Sequence, residues 1–113
     1  MLLRRNHLRQ AVMTLIASNK LDAVLYPHQR RLVVPIGDEQ VERNGVLSNS
    51  TGFPAVAFPG GFSPPSASAP DGVPVGLEVL GPEWSEAALL KIAYAYQEGA
   101  RVRKPPSSTP PLR

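Results

Sequence analysis

Residues 49–62 read NSTGFPAVAFPGGF, and residues 74–82 read PVGLEVLGP. Each stretch holds a short run of apolar, β-branched or aromatic residues bounded by glycine and proline, a pattern typical of strands. We predict strands over residues 53–58 and 73–80, paired antiparallel as a wide hairpin. Residues 60–71 lie between them and are rich in proline and serine. Because such a segment buries little apolar surface, we expect a mobile loop that projects into solvent.

The N-terminal part of the chain predicts a helix followed by a strand. Apolar residues recur with helical spacing from Leu3 to Asn19, which predicts an amphipathic helix. The run Ala23–Tyr26, stopped by Pro27, lacks alternation and predicts a strand buried on both faces. Residues 31–36 contain a proline, so they suit an edge strand or an extended segment. A short helix is expected to begin near Arg43. The apolar stripe of the first helix is Leu8, Ala11, Val12, Leu15 and Ile16.

A second helix is predicted after the hairpin, from Glu86 to Glu98. Ser85 is placed to cap its N-terminus, and Trp84 is placed to pack on Leu89 as a hydrophobic staple. Gly99 is the expected residue just beyond its C-terminus. The stripe predicted to face the sheet is Leu89, Ile92, Ala93 and Tyr96.

These elements predict an α/β fold. We expect a small mixed sheet of three to four strands with an antiparallel pair, flanked by an N-terminal and a C-terminal helix. The chain has 113 residues, enough for one small core. We expect a single α/β domain over residues 1–104 and an extended proline-rich tail over residues 105–113.

Composition narrows the classes of function. The chain has no cysteine, which excludes disulfide frameworks and thiolate metal sites. The formal net charge is +3 and the isoelectric point about 9.7, but no nucleic-acid-reading motif accompanies the basic residues. No signal-peptide pattern or membrane-length apolar run occurs. We therefore expect a cytoplasmic protein that binds neither nucleic acid nor membrane.

Hydroxyl side chains cluster just before the first strand of the hairpin, beside Asn49. Such a cluster can supply a nucleophile or an anion nest if a lysine lies close enough to act as base. The favoured interpretation is structural, in which these hydroxyls cap a short helix and complete a tight turn. The hydroxyl residues are Ser48, Ser50 and Thr51, and the candidate lysines are Lys20, Lys91 and Lys104.

The remaining titratable residues give no metal or catalytic set. His7 and His28 lack acidic or cysteine partners at ligand spacing, so we expect neither metal nor cofactor. The acidic residues Asp38, Glu39 and Glu42 suit a solvated turn and helix start. Glu78 is the most interesting acid, because a carboxylate on a strand can line a pocket with a shifted pKa. The favoured expectation is that it faces solvent on the outer side of the hairpin.

The order of several motifs resembles the C-terminal segment of the amidase signature family. The motifs that carry the resemblance are LDAVLYP at 21–27, RN at 43–44, LS at 47–48, TGFPAVAFPGGF at 51–62, PVGLEVLGP at 74–82 and the helical run 85–97, with a proline-rich ending. The resemblance departs at Glu78, where many members have Gln, and at Gly61, where Ala is common.

The resemblance implies an ancestry in enzymes that hydrolyse carbon–nitrogen amide bonds with a Ser, cis-Ser, Lys triad. The Gly/Ser-rich region that carries this triad in the family has no counterpart here, so no catalytic residue transfers and the substrate-binding residues are unknown. Two hypotheses follow. The chain is the C-terminal portion of an amidase, inactive alone and completed by an N-terminal amidase chain, or it is a standalone oligomeric binding or assembly module. A third hypothesis is an enzyme that uses Ser48 or Ser50 in a new way.

Overall fold

The computed structural model describes residues 2–109 and contains three helices and three strands in that range. The elements are α1 (Leu2–Ser18), β1 (Val24–Pro27), α2 (Val46–Thr51), β2 (Ala55–Phe62), β3 (Pro74–Leu80) and α3 (Glu86–Ala100). This order confirms the predicted α/β class with a helix towards each end. The predicted tail over 105–113 lies partly outside the described residues, since those residues end at 109.

The sheet is built around the predicted hairpin. Its strand order is β1-β3-β2, so β3 is central. Both pairings are antiparallel, with Phe58 opposite Leu77 and Leu25 opposite Val79. The described strands therefore form an antiparallel sheet, where the sequence predicts a mixed one. The strand β2 runs further than predicted because a bulge between Pro59 and Gly61 carries the pairing past the proline.

The core lies between one face of the hairpin and α3. Phe58, Val79, Leu89 and Ala93 are buried together. Period-two alternation places Phe58 and Val79 on the same face of the sheet, and helical spacing places Leu89 and Ala93 on one face of α3. The rings of Phe58 and Tyr96 lie 5.1 Å apart, which extends this contact to the third turn of the helix. The predicted apolar stripe is confirmed except at Ile92, which is 37% exposed.

Two details at the ends of α3 differ from the prediction. Trp84 is 91% exposed and does not form the staple, because its backbone turns through a positive φ of 63° and carries the ring outwards. Ser85 does occupy the N-cap position, but its hydroxyl donates to the carbonyl of Pro82. The helix continues through Gly99 and ends at Ala100, and Arg101 just beyond it takes the left-handed conformation expected at that position.

The strand β1 is an edge strand and is not buried on both faces. Its residues alternate between half-buried and exposed, and Leu25 is 55% exposed. Unbroken apolar runs favour burial on both faces only where a helix or loop covers each face. In the part of the chain described here, α3 packs mainly against β2 and β3, so the outer half of β1 stays uncovered.

The helix α1 makes narrow contact with the rest of the fold. Among residues 3–18 of this helix Ile16 is the buried one, while Leu8 and Leu15 on the predicted apolar stripe are 36% and 48% exposed. It packs mainly against α2, the short helix predicted near Arg43 and found three residues later. Gly52 ends α2 with a φ of 74°, a conformation that glycine adopts without steric cost.

The remaining segments are irregular. Residues 31–36 form no strand and lead into a turn in which Asp38 N–H donates to Pro35, so the extended-segment interpretation holds. The loop between β2 and β3 is exposed at residues 64–68 and contains a turn closed by Ser66 and Ala69. Ser107 contacts this loop, since its hydroxyl donates to Asp71 at 2.7 Å. Across residues 2–109, no helix has the length and apolar character needed to cross a membrane.

Candidate functional site

Glu78 is the centre of a buried polar cluster on the sheet face opposite the α3 core. Its exposed fraction is 5%, so the expectation that it faces solvent is wrong. Tyr26 lies directly opposite it in the β1–β3 register, and the phenol hydroxyl donates to Oε1 of Glu78. His28 is two residues further along and places Nδ1 2.7 Å from Oε2. Both carboxylate oxygens of Glu78 therefore have a partner, as a buried acid requires.

The environment of this cluster changes the acidity of Tyr26. Burial raises the pKa of the phenol above its ordinary value, and the hydrogen bond to Glu78 raises it further. The phenol is held in its neutral form because a phenolate would lose solvation and face the carboxylate. Tyr26 therefore serves as a hydrogen-bond donor to Glu78 at neutral pH.

The segment around residues 43–45, which carries the predicted RN motif, fixes the position of His28. The carbonyl of His28 accepts the N–H groups of Asn44 at 2.9 Å and Gly45 at 3.2 Å, while its own N–H donates to Gly76. The imidazole lies directly against Gly45, where an added Cβ would be 2.2 Å from Cε1. His28 stands alone in the sequence, but the tertiary structure places it between Gly45 and Glu78.

A cavity of about 480 Å³ opens next to this cluster. Its lining includes His28 and the small residues Ala57 and Gly76. We call Ala57 and Gly76, which belong to the sheet, the floor of the cavity, and the other lining residues its wall. Both floor residues share the sheet face of Glu78, since Ala57 is opposite Glu78 and Gly76 is two residues before it. The other lining residues are Pro27, Gln29, Arg30, Arg31, Leu32, Val33, Pro74 and Val75.

The hydroxyl cluster before β2 serves the local backbone. Ser48 donates to the carbonyl of Phe53 at 2.8 Å, and Thr51 donates to the carbonyl of Leu47 at 2.7 Å. The Thr51 hydroxyl also accepts the N–H of Phe53, which confirms the predicted role in the turn. The predicted helix-capping role is wrong for α2, because its N-cap residue is Gly45 and no side chain caps it. Within residues 2–109, no lysine forms a hydrogen bond with any of the three hydroxyls. Lys104 instead lies 5.5 Å from the ring centre of Phe62.

The other candidates are not brought to the cavity. His7 lies exposed on α1, and Asp38 and Glu39 are exposed around the predicted turn. Tyr26 and Gly45 were not foreseen as part of a site. Tyr26 can be recognised as a neighbour of Glu78 only from the register of β1 against β3, because cross-strand neighbours are known only once the strand pairing is known.

Comparison with known proteins points to one class. No model of a known protein family matches the chain. It is 38% identical over 62 residues to a fatty acid amide hydrolase of Arabidopsis thaliana, covering 55% of this chain and 9% of that protein. It is 32% identical over 103 residues to one component of the glutamyl-tRNA(Gln) amidotransferase of Thermodesulfovibrio yellowstonii, covering 79% of this chain and 20% of that protein.

Solved structures give the same result for the fold. The native peptide amidase of Stenotrophomonas maltophilia superposes with a TM-score of 0.72 at 30% identity, covering 90% of this chain and 20% of that chain. The peptide amidase PAM with the competitive inhibitor chymostatin gives a TM-score of 0.74 at 31% identity, covering 90% of this chain and 21% of that chain.

The sequence and the fold together define the class: the chain resembles the amidase signature enzymes, as its motifs predict. The resemblance is confined to a segment, because the chain spans between 9% and 20% of the length of the curated relatives quoted above. It is thus amidase-derived over that segment.

Proposed function

We propose that this chain is the C-terminal portion of an amidase, supplies scaffold to a carbon–nitrogen amide hydrolase, and has no hydrolase activity alone. The observation that carries the proposal is that the structural match covers most of this chain but only a small part of each peptide amidase. The peptide amidases match 90% of this chain, yet the match takes up only 20% to 21% of their chains. A segment of that size fits one part of a larger catalytic fold.

The use of the hydroxyl groups supports inactivity. The hydroxyls of Ser48 and Thr51 donate their hydrogen bonds to backbone carbonyls. A serine nucleophile instead needs a nearby base that takes its proton. The Glu78 carboxylate is likewise committed to Tyr26 and His28. The proposed partner is therefore a complementary amidase chain that carries the nucleophile and its lysine base. We place both in the cytoplasm.

Activity of the pure chain gives the first test. We expect no turnover of aryl amides, peptide amides or p-nitrophenyl esters, and no labelling by a fluorophosphonate that captures activated serines. Turnover that disappears in Ser48→Ala or Ser50→Ala would contradict the proposal and establish a new enzyme.

A chimera gives the second test. The fifth of the Stenotrophomonas peptide amidase that matches this chain is replaced by residues 2–109, and hydrolysis of a peptide amide is measured. We expect the chimera to be active because the transplanted segment supplies only scaffold. A Leu89→Asp chimera is the control, since that side chain is fully buried and a carboxylate there prevents packing. A folded but inactive chimera would contradict the scaffold role.

The second candidate function is a standalone oligomeric assembly module. It is favoured by the apolar side chains left on the surface, including Leu25 at 55%, Tyr94 at 67% and Ile36 at 107% exposure. The strand β1 also lies at an edge of the sheet and pairs with no strand on its other side within residues 2–109, so a second chain could pair there. Light scattering at micromolar concentration decides it: a homodimer or higher oligomer is expected for this module, and a monodisperse monomer contradicts it.

A further inference from the structure

The cavity beside His28 has the size of a small-molecule site. Its volume of about 480 Å³ falls within the range of roughly 300–1,000 Å³ occupied by small ligands. Its floor is open because Ala57 and Gly76 carry little or no side chain. Around this floor, Pro27, Pro74 and Val75 add further apolar surface. Such a lining favours the burial of a compact apolar group.

The charge along one wall is positive. Arg30 and Arg31 both line the cavity, and neither forms an ion pair within the described range 2–109. The nearest buried acid, Glu78, already accepts hydrogen bonds from Tyr26 and His28 and is not part of the lining. The two guanidinium groups therefore remain available to an anion. Guanidinium groups bind carboxylates through paired, charge-assisted hydrogen bonds.

Several contacts hold the wall between these features in place. His28 is fixed by its bond to Glu78, by the Gly76 carbonyl and by contact with Gly45. It precedes the short segment that carries both arginines. That segment is also held where the backbone N–H of Arg30 donates to the backbone carbonyl of Glu42 at 2.9 Å. A fixed backbone lowers the ordering cost of binding.

The geometry points to a binding site for a small monocarboxylate with an apolar body, seated on Ala57 and Gly76 with its carboxylate at Arg30 and Arg31. The inference does not depend on hydrolase activity or on a catalytic partner, because every group it uses lies in this chain.

Phenylacetate is the probe. The full chain, labelled with nitrogen-15, is titrated with phenylacetate while amide shifts are followed by NMR. Phenylacetamide tests the need for the charge, and inorganic phosphate tests the need for the apolar body. Two variants address the site: the double change Arg30→Gln and Arg31→Gln, and Ala57→Leu, which fills the floor. Their controls are the double change Arg4→Gln and Arg5→Gln on exposed α1, and Ala87→Leu on the exposed side of α3.

We expect saturable shifts at Ala57, Val75 and Gly76 with phenylacetate. Loss of the guanidinium pair should weaken binding at least about tenfold, the effect of losing charge-assisted hydrogen bonds. Ala57→Leu should abolish the shifts, and both controls should bind as the parent does. The inference is overturned if phenylacetate shows no saturation, if phenylacetamide or phosphate binds equally well, or if the site variants bind no worse than their controls.

Discussion

At the scale of single residues, the protein is distinguished by a buried acid with two dedicated donors. Glu78 is placed opposite Tyr26 by strand register, and His28 reaches its second oxygen from the same face. Removing one donor would leave a buried oxygen unpaired, which costs about 1–3 kcal/mol. The carboxylate offers a separate oxygen to each of these two partners.

Tyr26→Phe tests this cluster through its pH dependence. Because the pKa of Tyr26 is raised in the folded state, the associated stability is complete below the unfolded pKa of about 10 and is lost as the pH rises above it. The parent should be more stable than the variant by about 1 kcal/mol near neutral pH. That advantage should shrink at alkaline pH. Urea unfolding of both proteins at about pH 8 and about pH 11 measures it, and an unchanged difference would contradict the assignment.

Gly45→Ala tests the packing of the imidazole. The backbone at Gly45 has a φ of −60°, which alanine adopts without strain, so only the 2.2 Å approach to His28 opposes the change. The ring must rotate away from Glu78, and we expect a loss of about 1–2 kcal/mol in unfolding free energy. Gly99→Ala is the control, because a Cβ added there would have no atom within 4 Å. Alanine also favours the helix over glycine by up to about 1 kcal/mol. Equal effects at the two sites would argue against a packed imidazole.

At the scale of elements, α1 is attached to the fold largely through one side chain. Arg9 donates to the carbonyl of Thr51 at 2.6 Å, pairs with Glu83, and lies 4.6 Å from the ring centre of Phe53. These contacts link the helix to the end of α2 and to the residues on both sides of the hairpin. Ile16 is the buried apolar contact of the helix. The helix is therefore held by a cation and one apolar contact more than by a broad apolar face.

Arg9→Ala should release α1 from the remaining structure. The lost hydrogen bond and cation–π contact together predict a cost of about 1–3 kcal/mol, while the exposed ion pair adds little. Hydrogen exchange of the amides in α1 should accelerate relative to those in β3. Arg5→Ala is the matched control on the exposed face of the same helix. If both variants exchange alike, Arg9 is not the attachment point.

At the scale of the whole molecule, the core is one-sided. Leu89 and Val79 meet between α3 and the hairpin with exposed fractions of 0% and 1%. The opposite sheet face carries the Glu78 cluster and the cavity, whereas α3 packs on the core face. Stability therefore depends on few apolar contacts.

Leu89→Ala should destabilise the molecule by about 2–5 kcal/mol, because it leaves a cavity at a fully buried position. The neighbouring Leu90→Ala is the control: this side chain is 58% exposed, and we expect an effect within about 0.5 kcal/mol. Chemical denaturation of both variants measures the difference. Similar losses of unfolding free energy in the two variants would contradict the assignment of Leu89 to the core.

Local sequence patterns predicted the helices and strands more reliably than they predicted which of their residues are buried. The hairpin, the helix from Glu86 and the turn role of Ser48 and Thr51 follow from alternation, helical period and turn chemistry, which act between near neighbours. Burial was predicted less well. The run ending at Tyr26 lacks alternation and so favoured burial on both faces, yet the structure places it at the sheet edge. The staple at Trp84 failed because the backbone of that residue turns the ring outwards.

The sequence by itself determined the helices, the hairpin and the resemblance to amidases, because these depend on residue order over short spans. Only the tertiary structure decided the environment of Glu78. Its partners lie 52 and 50 residues away in the chain, and they meet it through antiparallel pairing of β1 with β3. The cavity beside His28 depends on the same pairing, since its floor and its walls come from different strands and an irregular segment. Contacts across such distances follow from strand order and register, which no local pattern specifies.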